Sequence, residues 1–222
     1  MSQEQWTAVD SYTGKLLIPQ DTTLEQASRA SREAGLPDVE VSAHQGKLLH
    51  LLARIHGAGT VLEIGTFSGY STIWLARALP ADGKLITIES GILFAKAAAA
   101  HIEEAGLTHL VDQRVGKALD VLPQLAAEGA GPFDLCFIDA DKPGMPEYFR
   151  WALALSRPGS VIVVDNVVLG GSVVDSAGTD PAVDGARALH DMLAAEPRVS
   201  ATTVQTVGAK GYDGFTLAVV GE

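Results

Sequence analysis

The chain has 222 residues, of which 47% are hydrophobic and 19% charged, a composition typical of a folded globular protein rather than a disordered or fibrous one. Its 16 Lys and Arg residues stand against 27 Asp and Glu, and the net charge of −11 argues against a nucleic-acid-binding surface. No apolar run approaches the about 18 residues that a membrane-spanning helix needs. We therefore expect neither nucleic acid nor a membrane as a partner.

The single cysteine, Cys136, has no second cysteine in the chain with which to form a disulfide. It lies between Leu135 and Phe137 in a predicted strand, which favours a small core residue over a nucleophile. The opening MSQEQWTAVDSY has neither the basic start nor the apolar run of a signal peptide. These features predict a cytoplasmic protein.

The first 57 residues have a helical pattern. Thr22 with Glu25, and Ser42 with Gln45, have the spacing of a capping box at a helix start. The second of these segments continues into an apolar face made of Leu48, Leu49, Leu51, Leu52 and Ile55. We therefore expect residues 1–57 to form a helical segment that precedes the α/β part of the chain.

From residue 58 onward, short apolar runs alternate with longer helical stretches. The predicted strands are Val61–Ile64, Leu85–Ile88, Leu110–Val115, Asp134–Ile138 and Val161–Val164. The predicted helices between them are Ser71–Leu79, Ile92–Ala105, Ala118–Ala127 and Pro146–Leu155. Such alternation predicts an α/β fold with a parallel, doubly wound sheet and helices on both faces.

The C-terminal end departs from this alternation. Val199–Val207 and Phe215–Val220 are two strand-like runs whose Gly-rich connection is too short for a crossover helix, so they predict an antiparallel hairpin. Asn166–Pro181 is a long connection rich in Gly, Ser and Asp, typical of a functional loop. No linker divides the chain, and we expect one domain over 1–222 with its α/β core at 58–222.

A glycine-containing turn follows the first strand. In a parallel sheet, ligands bind beyond the carboxyl ends of the strands, where Gly65 and Gly69 would let the backbone approach one closely. A glycine pair alone is equally consistent with an ordinary chain turn. The spacing is not the G-x-G-x-x-G of dinucleotide enzymes, which argues against a nicotinamide-dependent oxidoreductase.

Two carboxylates accompany this turn. Glu63 stands where it would repel a pyrophosphate and favour a positively charged ligand, and Glu89 ends the second strand, where a carboxylate can bind both hydroxyls of a ribose. Together they indicate a nucleoside with a cationic tail, such as S-adenosylmethionine.

Oxygen-bearing side chains follow two further strands. Asp139 comes after one, and Asp165 and Asn166 after the next. All-oxygen ligation suits a hard cation such as Mg²⁺, although such residues also cap ordinary turns. Lys142, three residues beyond Asp139, is either a solvated surface lysine or a base in a desolvated pocket beside the cation.

These segments resemble the class I, cation-dependent O-methyltransferases that include catechol and caffeoyl-CoA O-methyltransferases. The similarity runs from about Val41 to the C terminus and is carried by VLEIGTFSGYST, FDLCFIDADK, VIVVDNV and DGFTLA. It implies a Rossmann-like, seven-stranded sheet with one antiparallel strand, S-adenosylmethionine as co-substrate, and a phenolic small molecule with vicinal hydroxyls as acceptor. It also implies that the N-terminal helical segment, residues 1–57, shapes the acceptor pocket, and that the protein is a homodimer.

The resemblance further implies roles for individual residues. Mg²⁺, or another divalent cation such as Mn²⁺ or Ca²⁺, would be held by Asp139, Asp165 and Asn166. Lys142 would be the base, with Asp139 beside it in the catalytic site. The cofactor-binding residues would be Val41, Glu63, Gly65, Thr66, Gly69, Tyr70, Ser71, Glu89, Ala118, Asp139 and Asp141.

The main rival is a cofactor-binding scaffold that has lost catalysis. The complete set of Asp139, Lys142, Asp165 and Asn166 disfavours it. Plant caffeoyl-CoA enzymes have Trp and Asn where this chain has Leu169 and Gly170, so the resemblance favours a catechol-like acceptor over a CoA ester.

Overall fold

The structure, a computed structural model, describes residues 2–33, 35, 39–175 and 180–221. The strands form one seven-stranded sheet in the order β3-β2-β1-β4-β5-β7-β6. They are β1 (Thr60–Ile64), β2 (Lys84–Glu89), β3 (Val111–Val115), β4 (Phe133–Ile138), β5 (Ser156–Asp165), β6 (Val199–Gly208) and β7 (Gly211–Val220). Strands β1 to β5 pair in parallel, whereas β7 is antiparallel to both neighbours, as the sequence predicts.

The strand order reverses between β1 and β4. From β1 the chain first builds outward through β2 and β3, then returns to the other side of β1 with β4 and β5. In doubly wound sheets the loops diverge at such a switch point and leave a crevice at the carboxyl ends of the strands. This places the segments after Ile64 and Ile138 on either side of one crevice.

The sheet separates two apolar cores. Leu62 and Ile64 of β1 contribute to one core and Val61 to the other, because successive side chains of a strand point to opposite faces. The first core packs under helices α6 (Ala118–Ala127), α7 (Met145–Ala154) and α8 (Pro181–Ala195). The second packs under α3 (Ala43–His56), α4 (Tyr70–Ala76) and α5 (Ile92–Glu104). The prediction of helices on both faces is confirmed.

The chain begins with the helices α1 (Gln3–Leu17) and α2 (Thr22–Glu33). Ser42 caps α3 as predicted, since its Oγ accepts a hydrogen bond from the Gln45 N–H at 3.1 Å. The prediction that Thr22 caps α2 is wrong: Asp21 holds that position and accepts from the Leu24 N–H at 3.1 Å. Asp21 also pairs with Arg77, directly after α4, and so ties α2 to the core.

Two parts of the C-terminal half differ from the sequence prediction. Helix α8 was not predicted, and β7 begins at Gly211 rather than at Phe215. The predicted loop between Asn166 and Pro181 contains a short 3-10 helix, Leu169–Val174, while residues 176–179 of that loop lie outside the described residues.

Cys136 lies in β4 and is fully buried. The thiol contacts Ser156 Oγ at 3.8 Å, and burial raises its pKa to about 12. Both observations fit the prediction of a core residue. None of the helices seen in the described ranges is long and apolar enough to cross a membrane.

Candidate functional site

A cavity of about 880 Å³ opens at the carboxyl ends of β1, β2, β4 and β5. Its size suits a cofactor together with a small acceptor. Eleven of the predicted site residues line it: Val41, Gly65, Thr66, Tyr70, Ser71, Glu89, Ala118, Asp139, Asp141, Lys142 and Asn166. Three others, Glu63, Gly69 and Asp165, are next to the cavity but do not line it. The sheet topology thus brings the predicted residues together from distant parts of the chain.

The glycine turn needs both of its glycines. Gly65 has φ +103° and Gly69 φ +84°, a region that residues with a side chain rarely adopt. A Cβ atom at Gly65 would also overlap the carbonyl oxygen of Asp139. Because Gly69 is the N-cap of α4, the turn passes directly into that helix and presents its first residues to the cavity.

Glu63 lies beneath this turn rather than inside it. Its side chain is fully buried and accepts hydrogen bonds from Ser71 Oγ at 2.7 Å, Thr87 Oγ1 at 2.6 Å and Thr72 Oγ1. Burial raises the pKa of Glu63 to about 7, against the opposing effect of these hydroxyls. The carboxylate therefore connects β1, β2 and the start of α4, and it acts on the cavity through Ser71.

Glu89 stands at the end of β2 and lines the cavity. One carboxylate oxygen accepts from the Phe67 N–H at 2.8 Å and the other from the Gly91 N–H at 2.7 Å. The first of these bonds holds Phe67, a non-glycine residue with φ +48°, against the edge of the cavity. Carboxylate oxygens have further lone pairs, so Glu89 can still accept bonds from a ligand.

Lys142 connects two of the three predicted cation ligands. Its Nζ donates to Asp139 Oδ1 at 3.0 Å and to Asn166 Oδ1 at 2.7 Å. Both the Lys142 and Asp139 side chains are about one-fifth exposed, within reach of the cavity. Lys142 Nζ therefore lies between these two oxygens and holds them close together at the cavity wall.

Asp165 lies deeper, at the end of β5, and is 4% exposed. Burial and the negative charge of Asp139 raise its pKa, while Lys142 opposes the shift. Gln45 of α3 hydrogen-bonds the same carboxylate, so the N-terminal segment reaches this side of the site. Among the described residues, no three His, Cys, Asp or Glu side chains converge on a metal position. The predicted set has two carboxylates and takes its third oxygen from the Asn166 amide.

The turn that carries Lys142 is held from both sides. Asp141 accepts hydrogen bonds from the Gly144 N–H at 3.2 Å and from the Tyr148 hydroxyl. On the other side, a Cβ atom at Gly185 of α8 would overlap the Lys142 carbonyl oxygen. Helix α8, which the sequence pattern does not predict, therefore packs directly against the turn that carries Lys142.

Several lining residues were not predicted: Glu40, Phe67, Ser68, Phe94, Lys117, Leu119, Asp120 and Tyr148. Most of them lie on helix starts and loops, where the sequence has no periodic pattern to mark them. The Phe67 and Phe94 rings pack 4.9 Å apart, and Glu40 accepts from Ser28 Oγ at 2.6 Å and from Ser68 Oγ. Only Phe67 and Ser68, inside the glycine motif, had a signal that could have identified them.

Comparison with known proteins points to one family. A family profile described as O-methyltransferase matches residues 17–219. A catechol O-methyltransferase of Niastella koreensis is 53% identical over 220 residues, which are 99% of this chain and 100% of that protein.

Two solved structures have the same fold over their full length. The O-methyltransferase TomG of Streptomyces achromogenes, involved in tomaymycin synthesis and solved with SAM, has a TM-score of 0.97 at 59% identity, with 100% of both chains covered. The O-methyltransferase of Bacillus cereus, solved with SAH, has a TM-score of 0.97 at 53% identity and covers 99% of this chain and 100% of its own. On this evidence, the chain belongs to the O-methyltransferase family.

Proposed function

We propose that this protein transfers the methyl group of S-adenosylmethionine to one hydroxyl of a catechol-like acceptor. The observation that carries the proposal is the Asp139, Lys142 and Asn166 cluster, which lies in the same cavity as the glycine turn and Glu89. The relatives support it, since a catechol O-methyltransferase aligns over nearly the whole chain and TomG was solved with the methyl donor.

The donor would occupy the β1 and β2 side of the cavity. Glu89 retains acceptor capacity for the ribose hydroxyls, and the glycine turn permits a close backbone approach there. Ser71, held by Glu63 at the start of α4, and Thr66 lie beside the turn, where the methionine part would bind. The carboxylates of this cavity favour a sulfonium, which is positively charged.

The chemistry of the ligand set fits a divalent cation. Asp139 and Asp165 offer carboxylate oxygens and Asn166 an amide oxygen, which hard cations prefer, and Lys142 Nζ already contacts two of these three residues. We propose that these three residues hold Mg²⁺, or Mn²⁺ or Ca²⁺ in its place. Two vicinal hydroxyls of the acceptor would chelate such an ion, whose charge would favour ionisation of one of them.

The methyl-transfer step itself needs few further groups from the protein. The acceptor hydroxyl gives its proton to Lys142 Nζ, which has released one of its own protons to solvent, and the oxygen forms a bond to the methyl carbon. The carbon–sulfur bond breaks, and its electron pair stays on sulfur to give S-adenosylhomocysteine. The cavity contributes by aligning the two reactants and by excluding water, which strengthens the electrostatic interactions.

A direct assay tests this function. We expect catechol and labelled S-adenosylmethionine to give a mono-methylated product, with activity abolished by EDTA and restored by Mg²⁺. Undiminished turnover in EDTA would overturn the cation assignment but leave the methyl transfer intact. Cofactor binding without transfer to any vicinal diphenol would instead fit the catalytically silent scaffold.

We also propose that the chain forms a homodimer through α1. Val9, Tyr12 and Leu16 recur at helical spacing along one side of α1 and are 55%, 68% and 66% exposed. Exposed apolar stripes of this kind mark protein–protein contacts. Light scattering should give twice the chain mass, and Tyr12→Glu together with Leu16→Glu should give the monomer mass.

We also propose a cytoplasmic location. The single cysteine, which is buried and free, supports it.

A further inference from the structure

We propose that Asp213 is a positioning residue for methyl transfer, which holds the Asn166 carboxamide in the site without touching either substrate. The inference rests on the proposed function, because that function gives Asn166 its role. Asp213 lies in β7, outside the cavity, and is the first residue of the DGFTLA segment.

The loop that follows β5 has an unfavourable backbone. Asn166 has φ +55° and Leu169 has φ +54°, and neither is a glycine. Asn tolerates this left-handed region better than most residues, whereas Leu169 adopts it at a cost, so surrounding contacts must hold the segment there. The segment 166–169 therefore depends on contacts from elsewhere in the chain.

Asp213 and Gly214 supply those contacts. Asp213 Oδ1 accepts hydrogen bonds from the Val168 N–H at 3.1 Å and the Leu169 N–H at 2.9 Å. The Val167 N–H donates to the Gly214 carbonyl at 3.0 Å. The backbone amides of all three residues after Asn166 are thus bound by two adjacent residues of β7, and a carboxylate acceptor makes two of these bonds charge-assisted.

Gly214 allows β7 to come this close. A Cβ atom at position 214 would lie 2.6 Å from Val168 Cγ2 and 2.6 Å from the Val204 carbonyl oxygen. The Gly214 N–H also donates to Asp213 Oδ1 at 2.8 Å, which fixes the carboxylate in place. The Asp-Gly pair therefore forms a rigid support beneath the loop.

The support reaches the site through a single side chain. Asn166 Oδ1 accepts from Lys142 Nζ at 2.7 Å and lies at the cavity wall, whereas Asp213 makes no contact there. Loss of the Asp213 carboxylate would let Asn166 leave its left-handed conformation and move its carboxamide away from Lys142. Asp213 should then affect turnover and cation binding, but not donor binding at the β1 and β2 side.

A double-mutant cycle tests this coupling. Asp213→Ala, Asn166→Ala and the double variant are compared with the wild type for kcat, for Mn²⁺ affinity by electron paramagnetic resonance, and for S-adenosylhomocysteine affinity by calorimetry. We expect Asp213→Ala to lower kcat and Mn²⁺ affinity at least tenfold in the wild-type background and less than twofold in the Asn166→Ala background. S-adenosylhomocysteine affinity should stay within twofold throughout.

Two further variants separate positioning from general stability. Asp213→Asn keeps an oxygen acceptor at the same place and should recover most of the lost kcat. Asp134→Ala removes a carboxylate that accepts from the Gly59 and Thr60 N–H groups at 2.8 and 3.0 Å. Asp134 lies near the amino end of β4, away from the cavity, so this variant should lower stability without changing kcat. If Asp213→Ala does not fold, Asp213→Glu, which displaces the carboxylate by one methylene, replaces it in the cycle.

Three outcomes would overturn the inference. They are a wild-type kcat in Asp213→Ala, a loss of kcat that is equally large with and without Asn166, and a matching loss of kcat in Asp134→Ala. If the wild type binds no Mn²⁺, the cation part of the proposed function fails, and the coupling in kcat alone then decides on Asp213.

Discussion

Gly65 lies directly against the carbonyl of Asp139, so close that no side chain fits between them. The loop after β1 and the loop after β4 are further joined by the hydrogen bond from the Asp139 N–H to the Ile64 carbonyl at 2.9 Å. The turn proposed to bind the methyl donor and the residues proposed to act on the acceptor are therefore in direct backbone contact. A substitution that shifts one of these two loops should therefore also shift the other.

Gly65→Ala should disrupt both the glycine turn after β1 and the loop after β4. The substitution combines the cost of a positive φ with an overlap that the backbone must relieve, and together these should lower the free energy of unfolding by about 3 kcal/mol. Calorimetry should also show weaker S-adenosylhomocysteine binding. Gly57→Ala is the matched control, since Gly57 has φ +69° but open space around it. Equal effects of the two variants on ligand affinity would contradict this account.

Glu63 should make stability depend on pH. Its pKa is raised from 4.5 to about 7 by burial, so the folded chain holds the proton more tightly than the unfolded chain does. The corresponding stabilisation is complete below pH 4.5 and is lost as the pH rises through 7. Relative to Glu63→Gln, the wild-type free energy of unfolding should fall by up to about 3 kcal/mol over this range.

Denaturant titrations of both proteins at each pH measure that difference and cancel the contribution of other groups. The amide oxygen of the Glu63→Gln variant would still accept hydrogen bonds from the surrounding hydroxyls, so the comparison isolates the ionisation. A difference that stays constant from pH 4.5 to about 8 would show that Glu63 does not titrate in this way.

Lys142→Ala should lower kcat far more than donor affinity. General bases contribute about 10²- to 10⁴-fold to a rate, and a loss of that size is expected here. Steady-state kinetics with saturating donor measures it, and S-adenosylhomocysteine calorimetry should give an almost unchanged Kd. Lys84→Ala, which removes an exposed lysine paired with Asp112, serves as the control. A near-normal kcat with poor donor binding would contradict the base role.

Glu89→Ala should have the opposite effect. A hydrogen bond to a charged group contributes about 1.5–3 kcal/mol, so losing the ribose contact should weaken donor binding by about tenfold or more. Turnover at saturating donor should be largely retained. Glu89→Ala also leaves the Phe67 N–H without its acceptor. Glu89→Gln keeps one oxygen acceptor, so its donor Kd should lie between those of the wild type and Glu89→Ala. An unchanged donor Kd in Glu89→Ala would remove this residue from the site.

Local patterns in the sequence were sufficient to predict most of the sheet. The alternation of strands and helices and the missing crossover near the C terminus follow from periodicity and connection length, and both are seen in β1 to β5 and in the β6–β7 hairpin. The cap of α2 was misassigned because Asp21 and Thr22 are adjacent cap-forming residues. In the structure Asp21 accepts from the Leu24 N–H and also pairs with Arg77, 56 residues away, a contact that no local pattern shows.

Helix α8 shows where such patterns fail. Gly185 interrupts its interior, and glycine in a helix argues against a helical prediction. The glycine is needed because the Lys142 turn lies against it, a contact between segments more than 40 positions apart. Long-range contact likewise decides the position of Glu63, whose hydroxyl partners on β2 and α4 hold it beneath the turn. The residue types in the sequence indicate which segments surround the crevice. Which side chains line it depends on the packing of segments that are distant in the sequence.

The single cysteine has a practical consequence. Because the Cys136 thiol is fully enclosed in β4 and its pKa is raised to about 12, a maleimide dye has no route to it while the sheet is intact. The rate at which the dye labels the native protein, without denaturant, would therefore measure how often the central sheet opens transiently. A cysteine introduced on the surface would, in turn, be the sole attachment point for a fluorophore.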